Sequence, residues 1–219
     1  MLTRDLISNA FPYLHPEDKV YHALQLMSDY HVAHLPVVDN DDIYVGIVDE
    51  EQLLHSDDSK EIQQSHFSMA LPSVQASDHF LKAIQVAVNN RLSIVPVVEN
   101  GQMMGVVTYT DMLRNASDFM SLGEPGALIV LEMESKAYSF NEINRIVEAN
   151  DAQITQLNTF TDTETGLMQV TIRVNKLEVS SVISSFQRHE YNVKHYFGEE
   201  LYQNELQTNY DNLMNYLNI

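Results

Sequence analysis

The hexapeptide LPVVDN at residues 35–40 recurs as VPVVEN at residues 95–100, and these two segments decide how the first half of the chain folds. Working outward from them, the two copies stay aligned without a gap as far back as Pro12 and Pro72, at a constant spacing of 60 residues. A repeat of this length indicates two copies of one supersecondary unit that pack against each other.

Beyond the hexapeptides the first copy contains one extra residue, because GIV at residues 46–48 aligns with GVV at residues 105–107. An insertion at this point belongs in a hairpin loop. In the second copy Asn100 and Gly101 lie between two apolar segments, and this dipeptide is a strong signal for a two-residue β-hairpin turn.

Apolar residues at helical spacing precede each hairpin and predict one helix in each copy. Asp18 and Asp78 stand where the N-cap of that helix is expected. A second helix is predicted at about residues 50–55 in the first copy and at about residues 110–116 in the second. Each copy therefore predicts the order helix, strand, strand, helix.

This pattern resembles a pair of CBS domains, the regulatory module named after cystathionine β-synthase and also called a Bateman module. The resemblance rests on the repeated apolar-Pro-Val-Val strand, the Asn-Gly hairpin and the sequence GVVTYTD at residues 105–111. It covers residues 1–118, with a first CBS repeat at residues 1–60 and a second at residues 61–118. The resemblance implies an α+β fold made of two pseudo-symmetric αββα repeats.

The pattern changes after residues 119–126, where Ser, Gly and Pro indicate a linker. Residues 127–198 predict the order strand, helix, strand, strand, helix, strand, with the second helix at about residues 177–188. This βαββαβ order is typical of the ferredoxin-like fold, and after a CBS pair it resembles an ACT domain. The combination resembles the family of the bacterial acetoin-utilisation accessory protein. Apolar residues at spacings of three and four predict a C-terminal amphipathic helix at residues 199–219.

Charge and composition exclude several classes of function. The chain has 12 Lys and Arg against 31 Asp and Glu, a formal net charge of -19, and its basic residues are scattered singly. Proteins that bind nucleic acids or anionic membranes need clustered Lys and Arg residues, so we expect neither partner. With no cysteine, disulfides and thiolate chemistry are excluded, and we expect a cytoplasmic protein.

The resemblance also points to a ligand site in the second repeat. In CBS pairs that bind adenine nucleotides, a Thr or Ser hydroxyl binds phosphate and an Asp three residues later binds the ribose. The matching residues are Thr108 and Asp111, and Arg114 follows one helical turn later as a cation for the phosphates. The expected ligands are AMP, ADP, ATP or S-adenosylmethionine, and the residues expected to wall the purine are Val74, Ile94, Val95 and Pro96. Thr108 and Asp111 could equally be a simple helix cap.

The first repeat departs from this pattern. Asp49 stands where the hydroxyl is expected, and Gln52 stands where the ribose-binding carboxylate is expected. Residues 39–61 contain nine acids and one base, Lys60, so a phosphate would meet like charges at close range. We expect no nucleotide here, or at most an uncharged nucleoside.

We expect a non-catalytic regulator, because the sequence contains no HExxH metal motif, Walker loop, dinucleotide fingerprint or nucleophile elbow. The protein is predicted to form a homodimer and to act on an unknown partner. Two alternatives remain open. One is a dimerisation and interaction module without a ligand in either CBS cleft. The other is an amino-acid sensor acting through the ACT-like domain, which is weakened because ESKAY at residues 134–138 lacks the glycine that ACT domains usually carry there.

Overall fold

The computed structural model describes residues 1–8, 10–64 and 71–198. These residues fall into two compact units, the first within Met1–Ala116 and the second beginning at Ser117. The amphipathic helix predicted at residues 199–219 lies outside the described residues. Among the residues that are described, no helix is both long enough and apolar enough to cross a bilayer.

The first unit contains the order helix, strand, strand, helix twice, as the sequence predicts. The first copy consists of α1 (Val20–Tyr30), β1 (His34–Val38), β2 (Tyr44–Asp49) and α2 (Glu50–Leu54). The second copy consists of α3 (Phe80–Asn90), β3 (Ile94–Glu99), β4 (Gln102–Thr108) and α4 (Tyr109–Phe119), whose last three residues belong to the second unit. In each copy the two strands form an antiparallel pair.

The turn between β3 and β4 confirms the hairpin predicted there. Asn100 and Gly101 have φ angles of 52° and 86°, in the left-handed region that a type I′ turn requires at both positions. The first hairpin accommodates its extra residue differently. There the carboxylate of Asp39 accepts the backbone N–H groups of Asp41 and Ile43, at 3.0 and 2.9 Å. The side chain of Asp39 therefore stabilises the longer loop from inside.

The prediction that Asp18 and Asp78 are the N-caps of α1 and α3 is wrong. The N-cap residues are Lys19 and His79. The carboxylates of Asp18 and Asp78 instead accept the backbone N–H group three residues earlier, at 2.7 and 2.8 Å. Each carboxylate thus closes the turn that leads into its helix, which satisfies a backbone donor outside the helix rather than within it.

The two repeats exchange the segments that precede them in the chain. Leu6 packs in the core of the second repeat, and Ile62, from the connection between the repeats, packs in the core of the first. Backbone hydrogen bonds follow the same exchange, since Thr3 donates to Asp78 and Ile62 donates to Asp18, both at 2.8 Å. This exchange ties the repeats together as one compact unit.

The second unit has the predicted order of elements. They are β5 (Ala127–Met133), α5 (Phe140–Glu148), β6 (Ile154–Thr161), β7 (Met168–Val174), α6 (Ser180–Arg188) and β8 (Asn192–Phe197). The strands form one antiparallel sheet in the order β6, β7, β5, β8. The helix predicted from residue 177 begins later, at Ser180, because the carboxylate of Glu178 accepts the Ser180 N–H at 2.9 Å and ends the preceding turn.

Both helices of the second unit pack on one face of its sheet. Alternate residues of β5 and β7 are buried together with one side of each helix, as the period of two in a strand requires. The largest members of this core are Ile129, Leu131, Ile143, Ile172 and Phe186. Gly126 precedes β5 at a close approach of two backbone segments, where a Cβ atom would lie 2.3 Å from the carbonyl oxygen of Val174.

Candidate functional site

Thr108 and Asp111 lie together where β4 ends and α4 begins. The Thr108 hydroxyl donates to Asp111 Oδ2 at 2.6 Å, and the Asp111 backbone N–H donates to Thr108 Oγ1 at 3.2 Å. Thr108 therefore caps the first turn of α4 while its hydroxyl also holds the carboxylate. The two side chains form one polar group fixed to the start of a helix, which is a rigid support for a binding site.

Arg114 lies one turn further along α4. Its Nη1 atom is 3.7 Å from Asp111 Oδ1, and its side chain is 67% exposed whereas that of Asp111 is 27% exposed. An ion pair this exposed contributes little to stability, typically about 0–1 kcal/mol. The guanidinium is therefore available to an anion that approaches the Thr108–Asp111 pair, for which its planar donor geometry is well suited.

The four residues expected to wall a purine do not line one surface. Val74 and Val95 belong to the core of the second repeat, whereas Ile94 belongs to the core of the first. Each of these three is at most 3% exposed. Pro96 is also buried, and its carbonyl oxygen accepts the Val74 N–H at 3.0 Å. Since successive residues of a strand face opposite sides, Ile94 and Val95 could not have faced one cleft.

The equivalent region of the first repeat borders a cavity of about 750 Å³, which we call the first-repeat cavity. Sequence reasoning did not anticipate a cavity here. Its lining residues are His34, Asp49, Glu51, Gln52, His55, Ser56, Asn90 and Arg91. Asn90 and Arg91 come from the end of α3, so both repeats contribute to its walls.

Asp49 takes the capping role in the first repeat that Thr108 has in the second. Its Oδ1 atom accepts the Gln52 N–H at 3.1 Å and caps α2. Its other oxygen, Oδ2, lies 3.0 Å from Nε2 of His34. Both oxygens are therefore used inside the protein. The cavity wall carries Glu51 and also the cation Arg91, so the expectation that a phosphate is disfavoured here stays a prediction.

His34 is a functional candidate that sequence reasoning missed. It lies at the start of β1 and is only 8% exposed. Burial lowers the pKa of His34 below its ordinary value of 6.5, and the nearby Asp49 carboxylate acts in the opposite direction with a smaller effect. Alignment of the two repeats could have identified it. His34 aligns with Ile94, so the first repeat has a polar residue at a position where the second repeat has an apolar one.

One cavity of the second unit, of about 330 Å³, lies at the end of β5. Its lining residues are Glu132, Met133, Ala137, Glu142, His189, Glu190, Tyr191 and Asn192. The Tyr191 hydroxyl donates to Glu142 Oε2 at 3.0 Å, and burial together with this carboxylate raises the pKa of Tyr191 to about 12. Residues 134–138, which lack the glycine usual in ACT domains, contain a short 3-10 helix, Ser135–Ala137, beside this cavity.

Within the described ranges, His, Asp and Glu side chains do not assemble into a group of three that could hold a metal ion. The expectation that no metal is needed therefore rests on the sequence motifs, and the site chemistry is that of hydroxyl, carboxylate and guanidinium groups.

Comparison with known proteins assigns the first unit. The model of the CBS domain matches residues 3–58 and 67–118. Inosine-5'-monophosphate dehydrogenase from Staphylococcus epidermidis is 30% identical over 118 residues, which are 49% of this chain and 22% of the enzyme. The same enzyme from Methanocaldococcus jannaschii is 23% identical over 139 residues, 61% of this chain and 27% of the enzyme. The chain thus spans about a quarter of the length of these curated relatives.

Two solved structures share the fold of this part of the chain. A CBS domain pair/ACT domain protein from Thermotoga maritima has a TM-score of 0.51 and 22% identity, covering 55% of this chain and 99% of that chain. A proposed acetoin utilization protein from Vibrio cholerae has a TM-score of 0.50 and 19% identity, covering 56% of this chain and 95% of that chain. At these identities the likeness concerns the fold.

Proposed function

Because residues 3–58 and 67–118 form a pair of CBS domains, we propose that this protein is a non-catalytic regulator that binds an adenosine ligand beside Thr108 and Asp111. AMP, ADP, ATP and S-adenosylmethionine are the candidate ligands. The observation that carries the proposal is the hydrogen bond of 2.6 Å between Thr108 Oγ1 and Asp111 Oδ2 at the start of α4. It presents a hydroxyl and a carboxylate together at a helix start.

The chemistry of these groups suits the two polar parts of a nucleotide. A carboxylate can accept hydrogen bonds from both hydroxyls of a ribose, and Asp111 is the carboxylate at this position. The Thr108 hydroxyl and the exposed Arg114 guanidinium can both donate to phosphate oxygens. Ribose hydroxyls binding to Asp111 would replace the donor that Thr108 now supplies, which frees the Thr108 hydroxyl to turn toward the phosphate.

Charge supports the second repeat over the first as the site of a phosphate. Residues 39–61 contain nine acids and one base, whereas the matching residues 99–120 contain three acids and one base. The net charges of these segments are therefore -8 and -2, so a nucleotide anion meets less repulsion in the second repeat. Arg114 is that one base, and it lies within the proposed site.

The regulatory step that we propose is a shift of population. A ligand changes the arrangement of the two repeats only to the extent that it binds one arrangement more tightly than another. Thr108 and Asp111 join β4 to α4, so a ligand bound there acts on both the hairpin and the helix of the second repeat. No bond is made or broken in this scheme.

We propose that the regulated state is a homodimer. Leu54 in α2 and Leu113 in α4 occupy equivalent positions in the two repeats, and they are 65% and 73% exposed. A pair of exposed leucines related by the internal repeat supports a second copy as the partner, because one symmetric contact can cover both.

The βαββαβ order and the sheet order β6, β7, β5, β8 support a ferredoxin-like, ACT-like fold for the second unit. Its cavity is lined by three glutamates, which favour a positively charged group over the carboxylate of an amino acid. This lining counts against amino-acid sensing, which stays the second candidate function only because of the order of the unit's elements and is tested by a thermal-shift panel of amino acids.

Calorimetry with AMP, ADP, ATP and S-adenosylmethionine tests the main proposal. We expect one ligand to bind at one site per chain, and Asp111→Asn to weaken that binding by about tenfold or more, the effect of a lost hydrogen bond to a charged group. Asp118→Asn, at an exposed acid of the same helix, is the matched control and should bind as the wild type does. If no ligand binds at millimolar concentration, or if Asp111→Asn binds equally well, the proposal is wrong.

A further inference from the structure

A buried histidine of the first repeat uses both of its ring nitrogens, Nδ1 toward the second repeat and Nε2 within its own repeat. The backbone N–H of Ser93 donates to His34 Nδ1 at 3.2 Å, and His34 Nε2 lies 3.0 Å from Asp49 Oδ2. A backbone N–H can only donate, so Nδ1 must be the acceptor and the ring proton must be on Nε2. His34 is therefore neutral in this arrangement, with the proton directed at Asp49.

Ser93 continues this connection into the proposed nucleotide site. Its Oγ accepts the Ala33 N–H at 3.0 Å, and its carbonyl oxygen accepts the Tyr109 N–H at 3.2 Å. Tyr109 is the first residue of α4 and directly follows Thr108. A continuous series of hydrogen bonds thus runs from Asp49 through His34 and Ser93 to the residue beside the Thr108 hydroxyl.

The equivalent backbone hydrogen bond is present in the first repeat, but no histidine in the described part of the second repeat continues it. The Glu50 N–H donates to Ala33 O at 2.9 Å, which repeats the bond between Tyr109 and Ser93. Ile94 occupies the position equivalent to His34, and an aliphatic side chain cannot accept a hydrogen bond. The connection through His34 therefore leads from the first repeat to the proposed site in the second repeat. The second repeat has no equivalent connection back to the first, because Ile94 replaces the histidine.

We propose that His34 is a positioning residue that couples its own protonation to nucleotide binding at Thr108 and Asp111, by holding or releasing the backbone N–H of Ser93. This inference rests on the proposed function, whose site it regulates. When Nδ1 takes a proton it becomes a donor, and it can no longer accept the Ser93 N–H. Protonation therefore removes the bond to the Ser93 N–H and leaves Ser93 Oγ, 3.2 Å from Nδ1, as the available acceptor. The two states of the switch differ in which atom of Ser93 binds the ring.

Several charged or titratable groups face His34, and they set where the switch acts. They are Asp49 from β2, Glu50, Glu51 and His55 from α2, and Arg91 from the end of α3. Asp49 and Glu50 favour the protonated ring, whereas burial opposes it. Burial has the largest effect, so the pKa of His34 lies below 6.5 and the ring is neutral at neutral pH.

Thermodynamic linkage determines in which direction nucleotide affinity changes with pH. If neutral His34 supports the nucleotide-binding arrangement, nucleotide binding must favour neutral His34 by the same factor. Nucleotide affinity should consequently fall as pH falls through the pKa of His34. Coupling between two such sites is typically about five-fold or larger.

Two measurements on the full chain test the proposal. The first is the AMP affinity between pH 5.5 and 7.5 for the wild type, for His34→Ile, which reproduces the residue of the other repeat, and for His55→Gln, an exposed histidine of the same cavity. AMP titrates identically in all three. We expect affinity to fall about five-fold more at low pH in the wild type and His55→Gln than in His34→Ile. Identical pH profiles in the wild type and His34→Ile would overturn the coupling.

The second measurement is NMR of the wild type without ligand, and it separates this inference from the proposed function. We expect imidazole nitrogen shifts of the Nε2–H form for His34 at pH 7.5, and amide shifts of Ser93 and Tyr109 that titrate with the pKa of His34. An Nδ1–H form, or amides that do not follow His34, would overturn the inference. If AMP fails to bind while these amides follow His34, the nucleotide proposal and its coupling both fail, and only the protonation-sensitive junction stands.

Discussion

Asp49 and Thr108 occupy equivalent positions in the two repeats and cap the equivalent helices α2 and α4, one with a carboxylate and the other with a hydroxyl. Asp49 Oδ1 accepts the Gln52 N–H at 3.1 Å, and Thr108 Oγ1 accepts the Asp111 N–H at 3.2 Å. The capping geometry is thus preserved while the chemistry differs. Asp49 directs its second oxygen to His34, whereas Thr108 directs its proton to Asp111.

Asp49→Ala should lower the free energy of unfolding by about 1–3 kcal/mol, because it removes the cap of α2 and leaves the His34 Nε2–H without its acceptor. Glu51→Ala, at an exposed neighbour on the same helix, should change it by less than about 0.5 kcal/mol. Urea unfolding, followed through resonances of the first unit, measures both. Equal effects of the two variants would show that Asp49 has no structural role.

The first unit should lose stability as pH falls below about 6.5. Since the pKa of His34 is lowered on folding, the unfolded chain binds more protons at this site between the two pKa values. The contribution of neutral His34 to the free energy of unfolding is therefore complete above pH 6.5, and it is lost as the pH falls through the folded-state pKa. The difference in unfolding free energy between the wild type and His34→Ile, measured at pH 7.5, 6.5 and 5.5, isolates His34. A difference that does not vary with pH would contradict this expectation.

Gly126→Ala should destabilise the second unit by about 1–3 kcal/mol, as overpacking does. A Cβ atom at this position would lie 2.3 Å from the carbonyl oxygen of Val174, so the backbone must move. Gly123→Ala is the matched control, because nothing lies within 4 Å of the added Cβ atom. The check is the thermal unfolding of both variants, and a Gly126→Ala protein as stable as Gly123→Ala would contradict the packing described for β5.

Phe186→Ala should destabilise the second unit by about 3–5 kcal/mol while leaving ligand binding in the first unit intact. Phe186 is fully buried in the core of the second unit, and the first unit has its own cores. Hydrogen exchange measures the two units separately. Loss of protection in the first unit as well would show that the two units do not fold independently.

Replacing both Leu54 and Leu113 by Glu should convert the proposed dimer to a monomer, because two buried charges would then face a second copy. Light scattering at micromolar concentration measures the change. Leu71→Glu, also at an exposed leucine, should leave the dimer intact. A wild type that is monomeric at this concentration would exclude the dimer directly.

The sequence alone predicts the parts of the fold that depend on local patterns. Asn100 and Gly101 specify a tight turn by themselves, and the apolar spacing of each repeat specifies its helices. The exchange of Leu6 and Ile62 between the repeats could not be predicted in this way. It depends on packing between segments far apart in the sequence, which a repeat pattern does not encode.

The contact between the two polar residues of the candidate site was predictable from the sequence, whereas the placement of the residues expected to wall a purine was not. Thr108 and Asp111 are three residues apart across a strand-to-helix junction, so local geometry alone brings them together. Ile94 and Val95 are adjacent on a strand and face different cores. The alternation of side chains along a strand predicts this separation, because successive residues point to opposite faces. His34 required comparison of the two repeats, since a single copy gives no reason to expect an apolar residue there.

The structure of the protein bound to AMP tests the central claim most directly. We predict one AMP per chain, with its ribose hydroxyls on Asp111 and its phosphate between Thr108 and Arg114. AMP seated in the first-repeat cavity beside Asp49 and His34, or no AMP at either position at saturating concentration, would contradict the account.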